Sequence, residues 1–332
     1  MELQARAAIF DTPGGADVLQ LREIGVPAPG PGEVRIRVEA IGLNRSEAMF
    51  RHGWHPVKPV LPSRIGYEAA GRIESVGEGV MGFVPGDAVS TLPVMELNAY
   101  GAYGEVFNAP AQFVVKSPPE LSADEAASLW SSYITAYAAL VELVSIKPGD
   151  WVLVTAASSS LGAPIFQILA MLGARAIATT RRRDKAEAVK AMGAEHVIVS
   201  DDEDLAARVM AITGGAGVRF VFDPVGGPLV ETLAEVTAPY GTIVLYGVLD
   251  FAAAPLPLKP LIQKNLSILG FAMMLNDRPE RNERAIAFIR DGVAKGQLRP
   301  VIGRRFPLDE VAQAAAYLDS MQHIGKVVVT VP

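Results

Sequence analysis

Apolar and polar residues alternate along the first part of the chain, up to about residue 120. In residues 33–40 every second position is apolar, with Val34, Ile36 and Val38 between charged neighbours. This spacing is typical of a strand with one buried face. Glycine and proline signals such as Pro31-Gly32 separate these runs at short intervals, as turns require. We therefore predict a small, irregular β-barrel for this part.

From residue 151 onward, short apolar runs alternate with amphipathic helical patterns. Such alternation is typical of a parallel sheet covered by helices. The predicted strands occupy residues 151–154, 174–180, 196–200, 218–223, 242–246 and 266–271. The predicted helices between them occupy residues 165–172, 184–192, 205–212 and 229–236. The pattern therefore predicts an α/β fold with a doubly wound parallel sheet of six strands.

The C-terminal part of the chain adds two helical patterns, at residues 283–293 and 308–318, and a last strand at residues 326–331. We expect this segment to return to the β-rich part of the molecule. The predicted division is a β domain over residues 1–125, a nucleotide-binding domain over 126–270 and the returning segment over 271–332.

The turn after the first predicted parallel strand has the features of a dinucleotide-binding loop. Residues 156–162 read AASSSLG, so that small side chains leave the backbone open at the start of a helix. Free N–H groups at a helix start suit a pyrophosphate. Alanine and serine replace most of the usual glycines, and only Gly162 remains for close helix–strand packing. An ordinary buried turn between strand and helix is the alternative.

The end of the second predicted parallel strand indicates which cofactor is bound. An acid at this place holds the ribose hydroxyls of NAD, whereas small and basic residues accommodate the additional phosphate of NADP. The chain reads Thr180-Arg181-Arg182-Arg183-Asp184-Lys185, without an acid before the arginines. Guanidinium groups match phosphate oxygens in pairs, so we predict NADPH. Solvated arginines, with Asp184 as a ribose ligand, form the alternative.

Composition excludes several other classes of protein. The chain has 332 residues, half of them hydrophobic, and a net charge of -6, which disfavours a nucleic-acid partner because phosphate binding needs a basic face. No basic and apolar leader is visible in the first ten residues, and no apolar run is long enough to predict a membrane span. Cysteine is absent, which excludes disulfides and thiolate metal sites. A cytoplasmic location is the default expectation.

Four motifs together resemble the medium-chain dehydrogenase/reductase superfamily, in its zinc-independent, zeta-crystallin-like quinone oxidoreductase branch. Residues 66–77, GYEAAGRIESVG, resemble the GHE-x-x-G-x-V-x-x-x-G segment of the superfamily. Residues 85–89 are similar to its PGD-x-V turn, and residues 223–227 to its D-x-VGG turn. Residues 156–162 are similar to the AAS-x-x-VG loop of this branch, which accounts for the missing glycines. The resemblance implies a GroES-like β-barrel domain and a Rossmann domain.

The resemblance also bears on the chemistry, because zinc-dependent members bind the metal through a cysteine and a histidine. Asn44 and Tyr67 stand at these two positions here, and the four histidines, 52, 55, 196 and 323, lack ligand spacing. Without a Lewis acid, the hydride acceptor must already be electrophilic, as quinones and α,β-unsaturated carbonyls are. Asn44, Tyr67 and His55 are the candidate catalytic residues. Their alternatives are a turn cap for Asn44, a core tyrosine for Tyr67 and a solvated loop residue for His55.

The resemblance further implies a set of contacts with NADPH. It implies that Thr135 lies beneath the nicotinamide, that Lys326 reaches the cofactor phosphates and that Lys185 reaches the 2′-phosphate, although each lysine can also be a surface cation. The whole predicted cofactor set is Thr135, Ser158, Ser159, Ser160, Leu161, Gly162, Thr180, Arg181, Arg182, Lys185, Ser200, Val225, Gly247, Val248, Phe271 and Lys326.

These observations predict an NADPH-dependent, zinc-independent reductase that transfers hydride to quinones or other activated enones. Two alternatives stay open, namely an enoyl-thioester reductase and a structural or sensor protein that binds NADPH without turnover. The expected partner is a small quinone or enone, with no nucleic acid and no membrane. The resemblance also implies a homodimer in which strand 266–271 pairs with its copy.

Overall fold

The computed structural model describes residues 2–93, 96–273 and 279–332. The chain divides into two compact units. The first unit contains Met1–Ser132 and Ile286–Pro332, and the second contains Tyr133–Ala285. The three-part division 1–125, 126–270 and 271–332 stays a prediction.

Fifteen strands are present in the described part of the chain. They are β1 (Leu3–Ile9), β2 (Gln20–Val26), β3 (Glu33–Gly42), β4 (Glu68–Val76), β5 (Ala88–Thr91), β6 (Val106–Pro110), β7 (Val114–Lys116), β8 (Trp151–Val154), β9 (Arg175–Thr180), β10 (His196–Val199), β11 (Val218–Asp223), β12 (Thr237–Leu245), β13 (Ser267–Gly270), β14 (Ile302–Pro307) and β15 (Lys326–Thr330).

Eleven α-helices accompany them among the same residues. They are α1 (Arg45–Arg51), α2 (Leu97–Tyr100), α3 (Ala123–Ala126), α4 (Trp130–Tyr137), α5 (Gly162–Met171), α6 (Ala186–Ala191), α7 (Leu205–Ile212), α8 (Leu229–Val236), α9 (Leu258–Gln263), α10 (Pro279–Ala294) and α11 (Val311–Asp319). A π-helical turn, Ala138–Leu143, continues α4.

The first unit is built around β3. Its larger sheet has the order β14-β15-β3-β4-β5-β7, and β6 also pairs with β3. Val34, Ile36 and Val38 are buried in the core, as the alternating pattern predicted. The last strand, β15, pairs antiparallel with β3, with Val329 opposite Ile41. The expected GroES-like β domain is confirmed.

The second unit is a parallel sheet of six strands with the order β10-β9-β8-β11-β12-β13. This confirms the Rossmann domain. The strand order reverses between β8 and β11, and ligands of such sheets bind outside the carboxyl ends of the strands at this point. The core of the unit contains Leu153, Ile177, Val221 and Ile243, which are fully buried.

One strand of this sheet begins earlier than the sequence predicts. β12 starts at Thr237, which pairs with Val218, and the register then shifts before Thr242 pairs with Phe220. Between the two pairs Tyr240 has a φ of 60°. The Pro239-Tyr240-Gly241 sequence is typical of a turn rather than of a strand, so the first residues of β12 lack a strand pattern.

None of the helices formed by the described residues is both long and apolar enough to span a lipid bilayer.

Candidate functional site

The turn between β8 and α5 depends on Gly162. A Cβ atom at this position would lie 1.9 Å from the carbonyl oxygen of Ala157, which is far inside contact distance. The Ala157 N–H donates to the carbonyl of Thr179 at 3.0 Å, so that the turn is also fixed to β9. Gly162, the one glycine that remains in this loop, is therefore required by the backbone. Ser158, Ser159, Ser160 and Leu161 lie in the same turn.

Basic side chains follow β9 directly. Thr180 is buried, whereas Arg181 and Arg182 are exposed. The Arg182 guanidinium pairs with the Asp184 carboxylate, and both side chains are more than half exposed. Arg183 pairs with Asp202 at 3.0 Å. Arg181 alone of the three has no ion partner within the described ranges, and so its guanidinium is free to meet an added anion.

Lys185 links two of the predicted cofactor-binding segments. Its ammonium lies 3.4 Å from the Ser158 hydroxyl of the turn between β8 and α5. The side chain is buried, and burial, together with the positive charge of Arg182, lowers its pKa. The structure thus brings the predicted pyrophosphate loop and the predicted 2′-phosphate residues together at one place.

The other predicted cofactor residues of the second unit lie at the same edge of the sheet. They follow the carboxyl ends of β10, β11, β12 and β13, and they are Ser200, Val225, Gly247, Val248 and Phe271. Because all six strands are parallel, their carboxyl ends share one edge. Thr135 lies on α4, away from this series in the chain. These positions suit a bound dinucleotide, and the contacts themselves stay predictions.

Two further polar residues at this edge were missed by the sequence analysis. Asp223 ends β11, is fully buried, and accepts from the Thr155 hydroxyl and from the N–H of Gly226 at 2.7 Å. Tyr246 follows β12, and its buried hydroxyl has no hydrogen-bond partner among the residues that the structure describes. Two signals in the sequence could have identified them, because Asp223 is the first residue of the D-x-VGG motif and Tyr246 directly precedes the predicted cofactor residue Gly247.

In the first unit, Lys326 lies in a buried ion pair. Its ammonium donates to Glu68 at 2.8 Å and to the Asn44 side-chain oxygen at 2.7 Å. Lys326 and Glu68 are 2% and 0% exposed, and the other Glu68 oxygen accepts from the Ser131 N–H. The Asn44 amide nitrogen donates to the carbonyl of Gly42. The predicted contact of Lys326 with cofactor phosphates stays a prediction, and Glu68 is a partner that the sequence analysis missed.

Glu47 connects the chain segments that carry Asn44 and Tyr67. Its carboxylate accepts from the N–H of Asn44 at 2.7 Å, from the N–H of Tyr67 at 2.6 Å and from the Tyr103 hydroxyl at 2.5 Å. Burial raises the pKa of Glu47 to about 7, although these three donors oppose the shift. Asn44 precedes α1 as its N-cap, and Glu47 is the third residue of that helix. An acidic residue three positions after an N-cap is the capping-box signal that the sequence analysis overlooked.

His55 and Tyr67 form a buried pair. The His55 Nε2 atom lies 2.8 Å from the Tyr67 hydroxyl, and its Nδ1 atom accepts from the N–H of Val57 at 3.1 Å. The Nδ1 atom also lies 3.3 Å from the carbonyl oxygen of Val57, so that either tautomer of a neutral His55 has a partner at Nδ1, and the donor between His55 and Tyr67 depends on the tautomer. His55 is 5% exposed and is therefore not a solvated loop residue. Burial lowers the pKa of His55 and raises that of Tyr67.

The donor set around Asn44 and Tyr67 does not fit a zinc ion. The Asn44 oxygen and a Glu68 oxygen already accept from the Lys326 ammonium, and the Tyr67 hydroxyl is hydrogen-bonded to His55. Within residues 2–93, 96–273 and 279–332, no three histidine or acidic side chains lie close enough together to hold a metal ion.

Comparison with known proteins identifies the family. The chain is 33% identical to the 2-haloacrylate reductase of Burkholderia sp over 97% of this chain and 98% of that protein. It is 32% identical to quinone oxidoreductase 1 of Escherichia coli K12 over 94% and 95% of the two chains. The chain belongs to the medium-chain dehydrogenase/reductase superfamily. Within it, these relatives place the chain in the quinone oxidoreductase-like branch, as the motifs predicted.

Family models and solved structures of the superfamily agree with this assignment. Residues 30–119 match the alcohol dehydrogenase GroES-like domain, and residues 160–291 match the zinc-binding dehydrogenase family. An NAD-dependent alcohol dehydrogenase superposes with a TM-score of 0.92 at 32% identity and covers 98% of this chain and 100% of its own. A mycobacterial protein complexed with NADPH superposes with a TM-score of 0.87 at 30% identity, over 98% and 99%. This superfamily member is thus an oxidoreductase that uses a nicotinamide cofactor.

Proposed function

We propose that this protein is an NADPH-dependent reductase that transfers hydride to quinones or other activated enones without zinc. The observation that carries the proposal is the basic cluster after β9. Arg181, Arg182 and Lys185 follow the strand end at which an NAD-binding protein has an acid, and no acid precedes them. The one nearby acid, Asp184, is paired with Arg182.

NADPH fits the residues at the carboxyl edge of the sheet. Gly162 lets the start of α5 pack closely against the carbonyl of Ala157. The other side chains of the β8–α5 turn are mostly serine and alanine, which leave room for a pyrophosphate at the start of the helix. The free guanidinium of Arg181 and the ammonium of Lys185 would hold the 2′-phosphate, because phosphate favours charged donors. When bound, the cofactor supplies a hydride from its reduced nicotinamide ring. The protein holds the cofactor, orients the acceptor against it and excludes water.

The acceptor follows from the residues at the two superfamily zinc positions. Asn44 and Tyr67 offer an amide and a phenol; the amide oxygen already accepts from Lys326, and the phenol is hydrogen-bonded to His55. An unactivated alcohol needs a Lewis acid to lose its proton. A conjugated acceptor instead delocalises the arriving negative charge onto its own oxygen, and one side-chain donor near that oxygen is worth about 3 kcal/mol. The candidates for donating a hydrogen bond to that oxygen, or for orienting the group that donates it, are Asn44, Tyr67 and His55.

The names of two relatives support this class of acceptor. A 2-haloacrylate and a quinone both contain a carbon–carbon double bond conjugated to a carbonyl group. The reductases named for them match this chain over almost their full length.

Steady-state oxidation of NADPH and NADH by chelator-treated protein tests the proposal. The acceptors are 1,4-benzoquinone, 2-cyclohexenone, crotonyl-CoA and a simple aldehyde. We expect turnover with the quinone or the cyclic enone and a preference for NADPH. Turnover with crotonyl-CoA alone would favour an enoyl-thioester reductase. Saturable NADPH binding without turnover would favour a structural or sensor protein, and activity that needs added zinc would contradict the metal-free chemistry.

A further inference from the structure

The Tyr246 hydroxyl is a buried polar group without a use inside the protein. Its oxygen is shielded from solvent, although part of the ring is exposed. In the part of the chain that the structure describes, it has no hydrogen-bond partner. A buried hydroxyl without a partner costs free energy and is rare in native proteins. Its presence at this place therefore requires an explanation.

The nearest acidic group does not supply the missing partner. Tyr246 follows β12, and its N–H donates to the backbone carbonyl of Asp223 at 3.0 Å. The carboxylate of Asp223 is otherwise engaged, because one oxygen accepts from Thr155 and the other from the N–H of Gly226. Burial and, to a smaller extent, the negative charge of Asp223 raise the pKa of Tyr246. The phenol therefore stays protonated and remains a donor.

The position of Tyr246 in the sheet points to a ligand. It lies just beyond the carboxyl end of β12, on the same edge as the β8–α5 turn and the basic cluster after β9. The next residue is Gly247, where a Cβ atom would lie 3.0 Å from the backbone oxygen of Pro224. Tyr246 thus follows the strand end outside which a dinucleotide binds to such a sheet.

We infer that the Tyr246 hydroxyl donates a hydrogen bond to an oxygen of the nicotinamide mononucleotide half of the bound cofactor. The inference rests on the proposed NADPH-dependent function. Dinucleotide-binding sheets consist of two mononucleotide-binding halves on either side of the point at which the strand order reverses. Here the basic cluster belongs to the half formed by β8, β9 and β10, whereas Tyr246 belongs to the half formed by β11, β12 and β13.

The test compares Tyr246→Phe with the wild-type protein in three measurements. These are the dissociation constants of NADPH and of 2′,5′-ADP, by calorimetry, and the thermal unfolding of the cofactor-free protein. We expect the variant to bind NADPH about fivefold more weakly, as the loss of one hydrogen bond predicts. It should bind 2′,5′-ADP, which lacks the nicotinamide half, as the wild type does. The cofactor-free variant should be as stable as the wild type or more stable, because it loses an unsatisfied polar group.

Tyr137→Phe is the matched control. The Tyr137 hydroxyl, also in the second unit, donates to Glu142 at 3.1 Å. Its removal should lower the stability of the cofactor-free protein and leave NADPH binding unchanged. Tyr246→Phe should weaken NADPH binding without a loss of stability, whereas Tyr137→Phe should lower stability without a loss of NADPH binding. This contrast separates a ligand contact from a structural one.

Three outcomes would overturn the inference. One is equal NADPH binding by Tyr246→Phe and the wild type, and another is an equal loss of binding for NADPH and 2′,5′-ADP. The third is a fall in cofactor-free stability as large as that of Tyr137→Phe. If the wild type binds no NADPH, the proposed function fails as well, so that the two failures are distinguishable.

Discussion

At the scale of single residues, Glu47 is a buried acid of the first unit. It is 2% exposed, and no cation within the described ranges forms an ion pair with it. Its carboxylate holds the backbone N–H groups of Asn44 and Tyr67, so it positions the two candidate catalytic residues. Because its carboxylate can accept all three hydrogen bonds fully only when ionised, Glu47 links the geometry of the site to pH.

The raised pKa of Glu47 predicts a pH dependence of stability. Between about pH 4.5 and pH 7 the folded chain keeps the proton that the unfolded chain has lost. Stability must therefore fall as pH rises through this window. Glu47→Gln removes the titration, so the stability of the wild type relative to the variant should fall by about 3 kcal/mol between these limits.

Urea unfolding of both proteins at the two ends of the window measures this effect. Glu78→Gln, a change of an exposed glutamate in the same unit, is the control and should show no such difference. A wild-type and a Glu47→Gln protein whose stability difference is independent of pH would contradict the raised pKa.

Arg181 is the residue on which the choice of cofactor is expected to depend most. It lacks an ion partner in the described part of the chain, whereas Arg182 is paired with Asp184. We expect Arg181→Ala to raise the KM for NADPH by about tenfold or more, which is the effect of a lost charged hydrogen bond. Arg182→Ala should raise it less, and the KM for NADH should change little in either variant. Equal effects of Arg181→Ala on both cofactors would contradict a 2′-phosphate contact.

At the scale of elements, the β8–α5 turn depends on Gly162 both for its backbone conformation and for the NADPH binding that we propose. The Cβ atom of an alanine at residue 162 would press on the carbonyl oxygen of Ala157, which is backbone and cannot rotate away. We expect Gly162→Ala to lower the free energy of unfolding by about 1–3 kcal/mol and to weaken NADPH binding. Gly30→Ala, in the first unit, is the control, because a Cβ atom there would come no closer than 3.4 Å to another atom. Unchanged stability in Gly162→Ala would show that the turn does not need its glycine.

The ends of helices and strands were predictable where the apolar residues follow one regular pattern from the first residue of the element to the last. The strands 151–154 and 218–223 and the helices 205–212 and 229–236 begin and end where the sequence predicts. The start of β12 was not predictable, because its first residues contain Pro239 and Gly241 and pair across a register shift. The sequence gives no periodic signal for such an irregular strand.

At the scale of the whole molecule, proximity between residues was predictable at the carboxyl edge of the parallel sheet but not in the polar network of the first unit. Residues that follow parallel strands meet at one edge by topology alone, and so Ser158 and Lys185 could be placed together. Asn44 and Lys326 are 282 residues apart in sequence, and only the pairing of β15 with β3 brings them together. No local pattern encodes such a long-range contact.

The sheet of the second unit ends in β13, which pairs with β12 on one side only within the described residues. The sequence analysis predicted a homodimer through this strand, and we propose that the protein has about twice the 35.2 kDa mass of one chain in solution. Leu269→Lys should reduce the mass measured by light scattering to that of a monomer, because two-fold pairing brings like charges close together. Met81→Lys, at an exposed residue of the first unit, should leave the mass unchanged. A monomeric wild type would contradict the predicted dimer.

We propose that this protein transfers hydride from NADPH to a conjugated acceptor. The most direct test is a single turnover with NADPH that carries deuterium at the transferred position, after chelation of metals, with a quinone and with a cyclic enone. We expect a slower loss of the reduced-nicotinamide absorbance than with unlabelled NADPH, and deuterium on the β-carbon of the reduced enone. Bound NADPH that keeps both its absorbance and its label in the presence of either acceptor would contradict it.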